Sequence, residues 1–66
     1  MSVARITEIT ATSKKSFEAA VGNGIKRANK TLKNITGAWV ADQSVKVKNG
    51  KIASYQVRLK VTFILQ

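Results

Sequence analysis

Cysteine and histidine are both absent from this 66-residue chain. Without cysteine there is no disulfide framework, and without either residue type the usual structural zinc site cannot form. The commonest general base and the thiolate nucleophile are missing as well. Acidic residues are scarce too: the chain has only Glu8, Glu18 and Asp42. Hydrolysis by a pair of carboxylates is therefore not expected. We therefore expect a protein that is not an enzyme, and we assign no metal ligands.

The short length limits how stable a lone protomer can be. A chain of this size forms a single domain, residues 1–66, that buries only about 60% of the surface exposed by its unfolded form. Small domains that lack disulfides and metals usually gain the missing stability by self-assembly. An oligomer is the expectation before any motif is considered.

Negative charge is scarce and positive charge is abundant, with 12 Lys and Arg residues giving a formal net charge of +9. Such an excess favours an anionic ligand or a nucleic acid as partner. The four aromatic residues provide few platforms for stacking bases, so nucleic acid is the least favoured of these partners. No apolar run is long enough to span a membrane, and a signal-peptide core is missing, so we expect a cytoplasmic protein without a membrane partner.

The first half of the chain predicts a strand followed by a helix. Val3 to Thr10 is rich in β-branched residues, which favours a strand. Ser13 is a suitable N-cap for a helix from about Lys14 to about Lys33. One stripe of that helix is apolar with helical spacing, and its members are Phe17, Val21, Ile25, Ala28, Leu32 and Ile35.

Two glycines fall inside the predicted helix. Each costs about 1 kcal/mol relative to alanine, so we expect close packing at Gly22 and Gly24 to offset this cost. A phosphate-binding loop is the weaker alternative, because no strand precedes the Gly-Asn-Gly sequence and it fits no glycine fingerprint.

The second half predicts a β-hairpin. Asn49-Gly50 is typical of a two-residue type I′ turn, because both positions require positive φ. The strands are then about Ala38 to Lys48 and Lys51 to Leu65. The last strand alternates apolar and mostly polar residues and is long enough to lie in the centre of the sheet. The order β-α-β-β predicts an α+β protomer, with a three-stranded antiparallel sheet whose long third strand is central and packs on one helix.

A regular register across this hairpin brings several unusual side chains together. It places Gln43 opposite Gln56 and Trp39 opposite Lys60, and residues directly opposite share a face. Asp42 then points toward the helix. The polar face carries Gly37, Trp39, Gln43, Val45, Val47, Gln56, Arg58 and Lys60.

Two interpretations of Trp39 follow. The indole either packs in a subunit interface, where Trp is enriched, or stacks on a flat heteroaromatic ligand. In the second case the amides of Gln43 and Gln56 hydrogen-bond the ring edge, and Arg58 and Lys60 meet a phosphate tail.

Along nearly its whole length the chain resembles the dodecins, a family of small flavin-binding proteins. The resemblance is carried by segments in a fixed order, with gap-free spacing from Gln43 to Gln56. These segments are Ser16 to Val21, Arg27-Ala28, Lys30 to Asn34, Val40 to Gln43, Tyr55 to Val57 and Val61 to Phe63.

The resemblance implies a hollow homododecamer of tetrahedral symmetry that stores flavins, FMN or riboflavin, in pairs at subunit interfaces. Each flavin stacks on a Trp and is hydrogen-bonded by a Gln that corresponds to Gln56, and Asp42 corresponds to an Asp near the ribityl chain. The family's stacking Trp falls at Gly37, whereas here Trp39 lies two residues later, about 7 Å along the strand. Relatives without this Trp are linked to other ligands, including coenzyme A and metal ions. Coenzyme A and an apo structural assembly therefore remain alternatives.

Overall fold

The computed structural model describes residues 3–65 and has the element order β-α-β-β. Strand β1 spans Val3–Ser13, helix α1 spans Phe17–Ala28, strand β2 spans Ile35–Lys48 and strand β3 spans Lys51–Leu65. The strand order is β1-β3-β2, and both outer strands run antiparallel to β3. The predicted α+β fold with a long central third strand is confirmed.

The hairpin between β2 and β3 has the predicted turn. Asn49 and Gly50 have φ values of 54° and 75°, the left-handed conformation that a type I′ turn needs at both positions. Lys48 pairs with Lys51 on either side of the turn.

The helix is shorter at both ends than its apolar spacing predicted. Its N-cap is Ser16, whose Oγ accepts a hydrogen bond from the Ala19 amide at 3.0 Å. Ser13 instead ends β1, pairing with Tyr55, because the strand continues past Thr10. At the other end the helix stops at Ala28 and a turn follows, so Lys33 lies outside it.

Close packing explains one of the two helix glycines. A Cβ on Gly24 would lie 2.9 Å from Leu59 Cδ1 and 3.1 Å from the Ala11 Cβ, so only glycine lets the helix approach the sheet this closely. A Cβ on Gly22 would meet nothing within 4 Å. The expectation of close packing is confirmed at Gly24 and wrong at Gly22 within the protomer.

The core lies between α1 and one face of the sheet. Ala20 and three alternate residues of β3, Val57, Leu59 and Val61, are fully buried. Beyond Ile35, every residue of β2 is exposed. The helix therefore covers only part of one face and leaves the other face bare.

Candidate functional site

The face of the sheet opposite α1 is uncovered in the protomer and carries most of the predicted site residues. The strand pairing aligns β2 residues with β3 residues whose side chains alternate away from the buried Val57, Leu59 and Val61. We call this surface the open face. It consists of Gly37, Trp39, Asp42 and Ser44 from β2, Gln56, Arg58, Lys60 and Thr62 from β3, and Glu8 from β1.

A β-bulge at Ala41 changes the register that a regular hairpin predicts. Trp39 lies opposite Lys60 as expected, but beyond the bulge Asp42 lies opposite Arg58 and Ser44 lies opposite Gln56. A bulge adds one residue to one strand, which moves every following side chain to the other face. A second irregularity, between Lys46 and Val47, restores the original register near the turn.

The bulge corrects two predictions about site residues. Gln43 lies opposite the buried Val57, on the face that the helix packs against, so the predicted pairing of Gln43 with Gln56 is wrong. Val45, opposite Tyr55, moves to that side with it. Asp42, which the regular register placed toward the helix, instead lies on the open face.

Arg58 links the three strands at the centre of the open face. Its Nη2 donates to Asp42 Oδ2 on β2, and its Nη1 lies 3.9 Å from Glu8 Oε1 on β1. About half of each side chain remains accessible to solvent, so the ion pairs position these groups more than they stabilise the fold. Two carboxylates thus hold the guanidinium that sequence reasoning had assigned to a phosphate.

Trp39 presents a half-exposed ring, with 47% of the residue accessible. The Lys60 Nζ lies 5.8 Å from the ring centroid, a cation–π contact across the two paired strands. Beside it on the same face, Gly37 has open space where a side chain would project. The indole therefore borders open space on the side of Gly37.

Gln56 lies farther along the open face than Trp39. It is half-buried between Thr12 on β1 and Ser44 on β2. Because Trp39 pairs with Lys60, four residues of strand separate the two side chains, about 13 Å at 3.3 Å per residue. Within one protomer the two side chains are therefore too far apart to contact the same small ring.

Sequence reasoning missed Glu8. Its signal was the alternation of β1, because Glu8 pairs with Lys60 once β1 is placed antiparallel to β3. The order of strands was predicted, but the register of β1 was not, so the proximity of Glu8 to Arg58 stayed hidden.

Residues 3–65 carry neither a metal-binding group nor a membrane-spanning helix. Nowhere in that range do three or more His, Cys, Asp or Glu side chains form a group able to hold a metal ion. The helix within these residues is too short and too polar to cross a membrane.

Comparison with known proteins gives concordant results. Residues 3–66 match the dodecin family. The calcium dodecin of Mycobacterium tuberculosis is 32% identical over 63 residues, which make up 96% of this chain and 89% of that protein. Its crystal structure, described as having a novel calcium-binding site, aligns with a TM-score of 0.84 over 97% of this chain and 91% of that one.

Two solved structures from Streptomyces are similar over almost their full length. The dodecin of Streptomyces davaonensis is 37% identical with a TM-score of 0.94, covering 98% of this chain and 96% of that chain. The dodecin of Streptomyces coelicolor is 32% identical with a TM-score of 0.95, covering 98% and 93%. The family match over nearly every residue and the shared β-α-β-β fold agree, and this chain belongs to the dodecin family of small, non-catalytic binding proteins.

Proposed function

We propose that this protein stores flavins without catalysing a reaction, binding FMN, riboflavin or a related ring at the interfaces between subunits of a hollow homododecamer. The observation that carries the proposal is the open face, where a half-exposed indole and a half-buried glutamine amide share an uncovered sheet surface in a dodecin.

Trp39 would supply the stacking surface. A flat heteroaromatic ring gains contact on an indole that is already exposed and held by strand pairing, so little conformational entropy is lost on binding. The free space at Gly37 gives the ring room on the side where a larger residue would block it. Stacking on Trp39 would also quench flavin fluorescence, which makes binding easy to follow.

Gln56 would hydrogen-bond the edge of the ring through its amide, which offers both a donor and an acceptor. The separation of about 13 Å along the strand argues that Trp39 and Gln56 of one protomer do not serve the same ring. A second copy must then complete the site, which fits binding at a subunit interface.

The Arg58 cluster would meet the ligand's side chain. Because Asp42 and Glu8 neutralise the positive charge of Arg58, its guanidinium would attract a phosphate only weakly. The carboxylate of Asp42 retains exposed oxygen for the hydroxyl groups of a ribityl chain, and Lys60 is the nearer cation for the phosphate of FMN.

The alternative ligands find less support on this face. Coenzyme A would use the same stacking surface through its adenine, so it remains the second candidate. Calcium prefers six to eight oxygen ligands, whereas the two carboxylates of the open face both pair with Arg58.

Fluorescence titration of riboflavin and FMN against the assembled protein tests the proposal. Trp39→Ala should lose about 1–3 kcal/mol of ring affinity, on the scale of base–aromatic stacking. Gln56→Ala should lose about 1 kcal/mol by removing edge hydrogen bonds. The matched control is Gln43→Ala, which removes the same amide from the other face and should leave affinity unchanged.

Size-exclusion chromatography of the same variants separates the two roles of Trp39. A ligand-facing indole leaves the assembly intact when it is removed. If Trp39 instead fills an interface, Trp39→Ala should destabilise the oligomer by about 3–5 kcal/mol while flavin binding is unchanged or improved. Binding of coenzyme A without binding of either flavin would replace the proposal by its alternative.

A further inference from the structure

Most of the net charge of the protein lies outside the proposed flavin site. On the open face Arg58 and Lys60 are balanced by Glu8 and Asp42, and one further cation on that side of the sheet, Lys46, lies opposite Ser54. The rest of the chain contains nine Lys and Arg residues and one acid, Glu18, so +8 of the +9 belongs to other surfaces. Flavin binding gives no reason for this charge.

These nine cations are exposed and have no acidic partner anywhere between residues 3 and 65, where Arg58 alone forms ion pairs. Their densest group follows the middle of α1, where Lys26, Arg27, Lys30 and Lys33 fall within eight residues that contain no acid. We call these four residues the helix-end cluster. The turn after the helix keeps them close, because the Lys30 amide bonds to the Arg27 carbonyl at 3.1 Å and the Leu32 amide bonds to the Ala28 carbonyl at 2.9 Å.

Folding alone does not account for the cluster. The helix dipole favours cations in the last turn, but its effect is confined to that turn, and Lys33 lies beyond it. Lys26 and Arg27 end the helix and Lys30 and Lys33 follow it directly, so four like charges lie close together along the chain and repel one another. Self-assembly adds to the repulsion, because every subunit contributes another +9. A bound polyanion relieves both effects.

We propose that the helix-end cluster binds the phosphate backbone of nucleic acid, independently of sequence and independently of the flavin site. Duplex DNA presents one negative charge per about 1.7 Å of axis, a density that suits several closely spaced cations. The cluster itself contains no aromatic side chain that could stack on bases, and stacking is what sequence-tolerant binding of single strands uses, so duplex is the expected form. Phe17 packs edge-to-face on Tyr55 at 5.0 Å, and Trp39 lies on the open face.

The packing of α1 disfavours an anionic membrane as the partner. Membrane-surface helices insert an apolar face between lipids, whereas the apolar side of α1, with Ala20, Gly24 and Ala28, is buried against the sheet. The surface that remains exposed around the cluster offers charge and little apolar area to insert.

Fluorescence anisotropy with a labelled 20-base-pair duplex of arbitrary sequence tests the proposal on the assembled protein. If each of the four cations neutralises one phosphate, the logarithm of affinity falls with the logarithm of salt concentration with a slope of about −3.6, so affinity drops about 150-fold between 50 and 200 mM salt. A scrambled duplex should bind equally well.

The variant K26Q/R27Q/K30Q/K33Q should reduce that slope by at least about 3, one for each phosphate contact removed. The matched control K14Q/K15Q/K48Q/K51Q removes the same charge from exposed positions elsewhere and should retain most of the slope. The charge-preserving variant K26R/R27K/K30R/K33R should restore binding, and circular dichroism establishes that each variant is folded.

Three results would overturn the proposal. They are equal losses in the two neutralised variants, preferential binding to vesicles of anionic phospholipid over the duplex, or no change in anisotropy at 50 mM salt. Riboflavin titration of the same variants should give the parent affinity, so a failure of nucleic-acid binding is distinguishable from a failure of flavin binding.

Discussion

Lys60 lies over the indole on which the proposed flavin would stack. The ammonium lies 5.8 Å from the Trp39 centroid, so a ring that stacks there must displace it or share the site with it. We therefore expect Lys60→Gln to strengthen riboflavin binding about two- to fivefold, the equivalent of one exposed cation–π contact of about 0.5–1 kcal/mol. FMN should gain less, because it loses a cation near its phosphate. Quenching titrations with both flavins measure the difference.

The control for this prediction is Lys26→Gln, which removes the same charge from an exposed position on α1, away from the open face. It should change neither affinity. Weaker riboflavin binding in Lys60→Gln would contradict the prediction and would indicate that the lysine contacts the ligand directly.

The positions of the candidate side chains along their strands were easier to predict than the faces on which they lie. The position of Trp39 opposite Lys60 followed from counting back from the Asn49-Gly50 turn and is confirmed. The same count failed beyond Ala41, since the extra residue there reverses the faces of Asp42 and Gln43. Nothing in the sequence around Ala41 marks a bulge, because the conformation depends on pairing across the sheet and not on a local residue preference.

The helix offers a matched pair of substitutions at the scale of one element. Gly24→Ala should destabilise the fold by about 1–3 kcal/mol, because its Cβ would lie 2.9 Å from Leu59 Cδ1 and overpack the contact between α1 and β3. Gly22→Ala, on the same helix with open space around it, should stabilise the protomer by about 1 kcal/mol through helix propensity. Urea denaturation of the two variants provides the comparison.

Destabilisation by Gly22→Ala would show that another subunit approaches that position as closely as Leu59 approaches Gly24. Equal effects in both variants would contradict the packing argument. Either outcome can be read from denaturation midpoints at constant protein concentration.

The boundaries of α1 were harder to predict than its existence. Its apolar stripe has helical spacing up to Ile35, but Leu32 and Ile35 reach the core from a turn and from β2 instead. At the start, Ser13 and Ser16 are both chemically able to cap a helix. Pairing of Ser13 with Tyr55 extends β1 and leaves Ser16 as the N-cap. Strand pairing therefore determines where the helix begins, and the local sequence does not.

The protomer as a whole is too open to be a stable unit. Its dimensions are 51 × 19 × 14 Å and its radius of gyration is 13.5 Å, against about 11 Å for a compact chain of this length. Its accessible surface is 5024 Å², against about 4100 Å² for a typical folded monomer of this mass. The expectation of self-assembly, which rested on length and the lack of cysteine, gains a structural reason from this shape.

The far end of the hairpin shows where assembly should bury apolar surface. Val47 and Ile52 are paired across the strands and are 64% and 53% exposed in the protomer, beyond the reach of α1. We expect neighbouring subunits to cover them, since burying a Val or Ile side chain contributes about 1.5–3 kcal/mol. The double variant Val47→Thr/Ile52→Thr retains β-branched residues but loses apolar contact, so it should dissociate at higher protein concentration than the parent.

The control Lys48→Thr/Lys51→Thr changes the adjacent pair on the same hairpin and should not weaken assembly. Light scattering across a dilution series measures both variants, and dissociation of the two at the same concentration would show that this end of the hairpin stays exposed in the oligomer.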